Sequence, residues 1–202
     1  MKAVLLLSGG FDSPVAGRML LRQGVELEAL HGSFEPVTDD ASVRKAMDLA
    51  RLLGLKRLWV ARIGTELGKV PHDREAHRYY FLIQKRLLYR LADALADRMG
   101  ADVLATGENL GQVSSQTLPN LATLELAARR PVLRPLLGLD KVDILRLANE
   151  WGTYATSVGP ELCDLLGPQK PATTSQPEKV GAAEQRVGLG GSVLPALECI
   201  EL

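Results

Sequence analysis

Residues 2–7 are a short apolar run that stops at Ser8-Gly9-Gly10. An unbroken apolar stretch of this length, bounded by glycine, predicts a strand buried on both faces of a parallel sheet. Over 14–23 the period lengthens. Val15, Met19 and Leu20 fall on one helical stripe, and Gly24 stands where a C-cap belongs. Residues 25–31 read as a second strand. A helix from Asp39 or Asp40 to Leu53, ended by Gly54, and a strand over 56–61 follow. This β-α-β-α-β alternation with short connections predicts a doubly wound α/β sheet.

The pattern continues with a long helix over 77–99, striped by Tyr80, Leu87, Leu91, Ala94 and Leu95 and closed by Gly100. A fourth strand is expected at 102–105. A helix over 117–128 should begin near Pro119, and a short fifth strand follows at 131–133. Asp140 suits the N-cap of a helix over 140–151, with Gly152 after its end. The expectation is an α/β fold with a doubly wound, mainly parallel five-stranded sheet over residues 1–158. At Gly159 the pattern fades into Pro160, Pro168, Pro171, Pro177 and Pro195, with Gly188, Gly190 and Gly191. Residues 159–202 are expected as a loose extension packed on the same domain, with one helix at 178–187 and a strand at 196–200.

Composition narrows the classes. The 202 residues carry 24 Lys plus Arg against 24 Asp plus Glu, for a net charge of zero. Bulk charge therefore does not grip nucleic acid here, although a local basic patch remains open. Two cysteines, Cys163 and Cys199, are too few for a disulfide framework or a four-cysteine zinc site. A Cys163–Cys199 bridge stays open, while Cys199 in its apolar run reads as a packing residue. No stretch approaches a membrane span, and no cleavage site follows the first apolar run. A cytoplasmic protein without membrane association is expected.

The richest chemical signal is Ser8-Gly9-Gly10-Phe11-Asp12-Ser13-Pro14. It lies between a strand and a helix, so first-turn amides and the helix dipole face whatever sits in the loop, and glycine lets the backbone approach phosphate. Ser8 and Ser13 add hydroxyl donors. Asp12 repels bare phosphate and makes sense as a ligand of phosphate-bound Mg²⁺. Gly68-Lys69 lacks the Walker spacing, and Gly188-Leu189-Gly190-Gly191 follows no strand, so neither is read as a nucleotide loop.

Residues 8–13 resemble the PP-loop of N-type ATP pyrophosphatases, and the extension Pro14-Val15-Ala16 is similar to the tRNA 4-thiouridine synthetase (ThiI) family. Residues 106–117 resemble that family's second nucleotide-site segment. Residues 133–141 resemble its third, in which the lysine matching Lys141 is functional. Cys163, between Pro160 and Pro168-Gln169-Lys170-Pro171, matches the sulfur-handling cysteine. The likeness covers roughly residues 2–173.

The resemblance implies an adenine nucleotide alpha hydrolase-like fold that uses ATP and Mg²⁺. It implies nucleotide contacts from Ser8, Gly9, Gly10, Phe11, Asp12, Ser13, Leu30, His31, Gly107, Glu108, Gln112 and Arg134. Asp12, Lys141 and Cys163 would be catalytic, with Asp12 also on Mg²⁺. The implied reaction adenylates a uridine carbonyl of tRNA and replaces its oxygen with sulfur, giving 4-thiouridine. A persulfide donor such as a cysteine desulfurase would supply the sulfur. Family members usually carry a ferredoxin-like and a THUMP domain ahead of this region, so tRNA would be reached through a homodimer surface or a separate RNA-binding partner. Relatives with a Cys-x-x-Cys pair hold an iron–sulfur cluster, but Cys163 is followed by Asp164, Leu165 and Leu166.

Other readings stand beside these. A small-molecule acceptor on a thiamine thiazole route, or a nucleotide-binding module without catalysis, would use the same loop. Glu108 and Gln112 suit either a phosphate or Mg²⁺ contact or an ordinary polar loop. Lys141 suits either phosphate chemistry or a solvated helix start. Arg78, Lys85, Arg86, Arg90 and Arg98 read as a solvated helix face. Arg129, Arg130 and Arg134 are expected near the rim of the site.

Overall fold

The first apolar run becomes β1 (Lys2–Leu6), which sits inside the sheet with Ala3, Val4 and Leu5 fully buried. The structure is a computed structural model that describes residues 1–158, 166–190 and 194–202. After β1 come α1 (Asp12–Arg22), β2 (Glu26–Ser33), α2 (Ala41–Leu52) and β3 (Arg57–Arg62). The chain then crosses the sheet through α3 (Gly64–Leu67), a 3-10 turn at Val70–His72, α4 (Arg74–Arg78) and α5 (Tyr80–Met99). It continues with β4 (Val103–Ala105), a second 3-10 turn at Ser114–Gln116, α6 (Leu118–Glu125) and β5 (Val132–Leu133). The last elements are α7 (Lys141–Glu150), α8 (Tyr154–Ser157), α9 (Pro177–Arg186) and β6 (Leu197–Glu201).

The strand order is β5-β4-β1-β2-β3-β6. The five expected strands run parallel, in register Leu5↔Ala29 and Leu5↔Ala105 around β1. A sixth, β6, joins the edge antiparallel to β3, pairing Leu58 with Ile200. Alternate side chains divide between two layers. Leu5, Leu27 and Leu58 pack with Leu20, Val43 and Leu49 of α1 and α2. Val4, Leu30, Trp59 and Leu104 pack with Ile83, Leu87 and Leu91 of α5, with Leu121 and Leu124 of α6, and with Val180 and Ala183 of α9. Winding reverses between β1 and β4, and their carboxyl ends form the switch point at which open α/β sheets hold ligands.

Several expectations change. The long helix begins earlier than residue 77 and breaks at Tyr79. Asp73 caps α4 by accepting from the Ala76 N–H at 2.7 Å, a start signal that outweighs the apolar stripe. The tail is not loose where it is described. Ala172, Val180, Ala183, Val187 and Leu189 are buried in the α5 layer. A Cβ on Gly167 would come within 2.5 Å of the Phe81 ring, so the tail lies directly on α5. Cys199 is exposed on β6 and not packed, because its side of this edge strand is uncovered.

Most basic residues of α5 are not a solvated face either. Glu184, 2% exposed, accepts from Arg86 Nε at 3.0 Å and from Arg90 Nη1 at 3.1 Å. Arg98 lies over the Trp59 ring, 4.5 Å from its centroid. Arg129 and Arg130 pair with Asp97 at 2.6 and 2.7 Å, and Arg130 also reaches Asp93. These charges hold helices together because burial makes an unpaired carboxylate costly and a paired one tolerable. Among the described residues no helix is long and apolar enough to cross a membrane.

Glu184→Ala leaves two partly buried guanidinium groups without their counter-charge. The expected loss is about 3 kcal/mol of stability, read from urea unfolding. An unchanged midpoint would show that the α5–α9 clasp carries no weight.

Candidate active site

The turn leaving β1 is closed by its own serines. The Ser8 N–H donates to Ser13 Oγ at 2.8 Å, and the two hydroxyl oxygens lie 3.0 Å apart. The Gly10 N–H donates to Ser8 Oγ at 3.3 Å. Phe11 occupies the N-cap position of α1, and Asp12, Ser13 and Pro14 form its first turn, where proline's missing donor costs nothing. From outside, Ser157 Oγ donates to the Gly10 carbonyl at 3.3 Å, and Lys45 Nζ donates to the Ser157 carbonyl at 2.8 Å. A Cβ on Gly9 would sit 3.1 Å from the Lys45 side chain. Neither Lys45 nor Ser157 carries any signal in the sequence, since a lone helix lysine and a serine ending a one-turn helix are ordinary.

Lys141 opens α7 behind Asp140 at the N-cap. Val15 and Ala16 of α1 pack with Leu136, Ile144 and Ala148, which sets the two helix starts side by side. Lys141 Nζ consequently donates to Asp12 Oδ1 at 2.7 Å and stands 5.8 Å from the Phe11 ring centroid. Asp12 and Lys141 are 129 residues apart in sequence, and the fold brings them to one mouth beside the Ser8–Ser13 loop.

From the other side, the segment after β4 presses on the loop. A Cβ on Gly107 would lie 2.5 Å from the Ser13 nitrogen and 2.6 Å from the Asp12 carbonyl carbon, so only glycine fits. Next to it, Glu108 turns inward and is 4% exposed. It accepts from Lys85 Nζ at 2.8 Å, Tyr89 Oη at 2.6 Å and Arg134 Nε at 2.9 Å. Burial alone would raise its pKa, but Lys85, Tyr89 and Arg134 outweigh burial and hold it at about 2. Tyr89, buried beside that carboxylate, is pushed well above the ordinary phenol range. Arg134 also reaches Glu125 at 2.6 Å, so Glu108 and Arg134 face each other. Lys85, expected on a solvated helix face, is instead drawn in by the buried Glu108, and Tyr89 carries no signal in the sequence because it looks like any core tyrosine.

The remaining expected residues divide. The Leu30 carbonyl accepts from the Leu7 N–H at 2.8 Å and holds the end of β2 against the loop. His31 is buried, with Nδ1 3.0 Å from the Leu7 carbonyl and Nε2 3.3 Å from Ser42 Oγ, and burial lowers its pKa. Gln112 lies on the β4 exit, with a buried Nε2 that has no hydrogen-bond partner among the described residues. Cys163 lies outside the described residues. Among the described residues no three His, Cys, Asp or Glu side chains converge as a metal cage. A hard cation that keeps its waters and leans on substrate phosphates needs only one or two carboxylates, and Asp12 at the loop mouth fits that donor set.

A parallel sheet with a Ser-Gly-Gly loop and helix start at its switch point defines a PP-loop protein of the adenine nucleotide alpha hydrolase-like fold. Residues 1–189 match the family described as thiamine biosynthesis protein (ThiI), and the chain belongs to that family. The probable tRNA sulfurtransferase of Moorella thermoacetica is 40% identical over 207 residues, covering 100% of this chain and 53% of that protein. A 4-thiouridine synthetase solved in complex with RNA and ATP superposes with a TM-score of 0.86 at 38% identity, over 99% of this chain and 55% of that one. The NH3-dependent NAD synthetase of Campylobacter jejuni shares the fold, with a TM-score of 0.55 at 18% identity over 98% of this chain and 90% of its own. The chain spans about half the length of the curated relatives it matches.

Two outcomes follow from this geometry. Gly107→Ala forces the β4 exit away from α1, and overpacking of this kind should cost about 1–3 kcal/mol of stability in urea unfolding; an unchanged midpoint would show that the contact yields freely. Glu108 has a folded pKa below its unfolded value, so its contribution to stability is complete above about pH 4.5 and is lost as pH falls toward about 2. Glu108→Gln should flatten that acid limb in urea titrations; an unchanged limb would place the acid sensitivity elsewhere.

Proposed function

We propose that this chain is the catalytic unit of an ATP-dependent tRNA sulfurtransferase that converts uridine to 4-thiouridine. The observation that carries the reading is the 2.7 Å contact of Lys141 Nζ with Asp12 Oδ1 at the mouth of the Ser8–Ser13 loop. A cation and a carboxylate beside aligned first-turn amides suit a nucleotide whose phosphates are being separated. Family membership and the likeness to an RNA- and ATP-bound 4-thiouridine synthetase support the choice of substrates.

In this reading Ser8, Gly9, Gly10, Phe11 and Ser13 cradle the pyrophosphate end of ATP. The Leu30–His31 backbone and the Gly107–Gln112 segment border the nucleotide, while Glu108 and Arg134 act beneath it as positioning residues. Asp12 would hold Mg²⁺, which when bound neutralises phosphate charge. The uridine carbonyl oxygen attacks the alpha phosphorus, the bond to the beta phosphate breaks, and pyrophosphate leaves into the loop. Lys141 offsets the negative charge that builds on the alpha phosphate. A persulfide sulfur, delivered by a donor such as a cysteine desulfurase, then attacks the activated carbon and AMP leaves. That leaves the donor joined to the base through an S–S bond, and the Cys163 thiolate attacks the donor-side sulfur, forming a Cys163–donor disulfide and releasing the thiocarbonyl; alternatively Cys163 itself carries the persulfide sulfur. RNA capture calls on a homodimer surface or a further RNA-binding unit, and the reaction belongs in the cytoplasm.

The test is pyrophosphate release from ATP with and without unmodified tRNA. Release that requires tRNA is expected, and Lys141→Ala should lower it about 10²–10³-fold. Cys163→Ala should keep ATP binding and lose thiolation. Turnover with a small acceptor and no tRNA would overturn the reading in favour of a thiazole-type route. ATP binding without pyrophosphate from any acceptor would favour a binding module.

A further inference from the structure

Most cations of this neutral chain are committed internally, as Arg57 with Glu28, Arg86 and Arg90 with Glu184, and Arg130 with Asp93 show. One face departs from that habit. Lys69, Arg74, Arg78 and Lys170 are exposed, and their side chains make no ion pair or hydrogen bond among the described residues. Arg74 and Arg78 are one helical turn apart on α4 and share a side. Arg78 borders a shallow surface crevice together with Ser114, Ser115 and Pro171, and Lys170 immediately precedes that proline.

The crevice is a built feature. The Ala172 N–H donates to the Arg78 carbonyl at 3.1 Å, and Asn120 Nδ2 donates to the Ala172 carbonyl at 2.9 Å. His77 Nε2 meets the Leu166 carbonyl at 3.0 Å. The tail is thereby fixed across α4 on one side and the start of α6 on the other. The nearby acids Asp73 and Glu75 both pair with Arg186, at 2.9 and 3.0 Å. With Arg186 counted, Arg74, Arg78 and Lys170 still outnumber these two acids, so the face keeps an excess of positive charge.

Position supplies the remaining argument. The segment with Lys69, Arg74 and Arg78 leaves the carboxyl end of β3, and Ser114 and Ser115 leave the carboxyl end of β4. The Ser8–Ser13 loop leaves the same end of β1. Two guanidinium groups and an ammonium on one face are a donor set that holds phosphodiesters without reading bases. We propose that the α4–tail face, centred on Arg74, Arg78 and Lys170 at the Ser114–Ser115 crevice, receives the sugar-phosphate backbone of the RNA substrate beside its target nucleotide. This rests on the tRNA reading above and adds where on this unit the RNA lies.

The experiment measures binding of unmodified tRNA to the full chain across about 50–200 mM salt, a range over which phosphate contacts dominate affinity. The variants are Arg74→Glu/Arg78→Glu, Lys170→Glu and the charge-neutral Arg78→Gln. Lys56→Glu serves as control, since Lys56 is equally exposed but precedes β3 at the opposite end of the sheet. The double variant should lose at least tenfold in affinity at low salt. Arg78→Gln should reduce the salt slope by about 1, as removal of one phosphate contact does. ATP affinity should stay unchanged in all four variants, and Lys56→Glu should bind tRNA like the parent. Unchanged affinity and slope in the α4 variants, with the parent binding tRNA, would sink this inference and leave the tRNA reading intact. Equal weakening by Lys56→Glu would reduce the effect to overall charge and sink it as well. A parent chain that neither binds tRNA nor needs it for pyrophosphate release overturns both.

Discussion

The carboxylate of Glu108 is the tie on which the site depends. A buried charge of this kind is tolerable only with its partners in place, and those partners come from α5 (Lys85, Tyr89) and from the end of β5 (Arg134). Satisfying one residue therefore fixes a helix and two strand exits relative to one another. That in turn holds Gly107 against the backbone of Asp12 and Ser13. The loop is shaped from behind by this contact and from the front by Lys45 and Ser157, and its serines close on each other.

Local patterning made much of this legible. The apolar run before Ser8, the glycines after it and the proline in the next helical turn each have a local physical cause, and they stand where the sequence places them. The five parallel strands could be read for the same reason, since buried strands are short apolar runs between helices. Charge pairing was not legible. Nothing local distinguishes Arg86, which meets a glutamate 98 residues away, from a solvated arginine. The tail misled for a related reason: its prolines and glycines look loose, while its order comes from distant partners such as Phe81, Asn120 and Trp59. Glu108 carries both lessons, because its place next to Gly107 was evident and its inward direction was set by Lys85 and Arg134.

The zero net charge also gains meaning. It does not describe an evenly neutral surface. Glu28, Glu184, Asp93 and Asp97 each pair with two cations within the fold, while Lys69, Arg74, Arg78 and Lys170 stay unpaired among the described residues. A protein can thus keep its overall field weak, which limits indiscriminate adhesion to polyanions, while retaining a directed one near its chemistry.

The antiparallel course of β6 has a practical consequence. Leu202 donates its N–H to the Lys56 carbonyl, and the Met1 carbonyl accepts from Glu26, so the first and last residues both emerge at the amino ends of the parallel strands. The loop, Lys141 and the α4 crevice open at the other end. A fluorophore, an affinity handle or a surface anchor attached at either residue would stand one strand length away, roughly 17 Å for five residues. The protein can be immobilised or labelled from that side with its working side facing free solution.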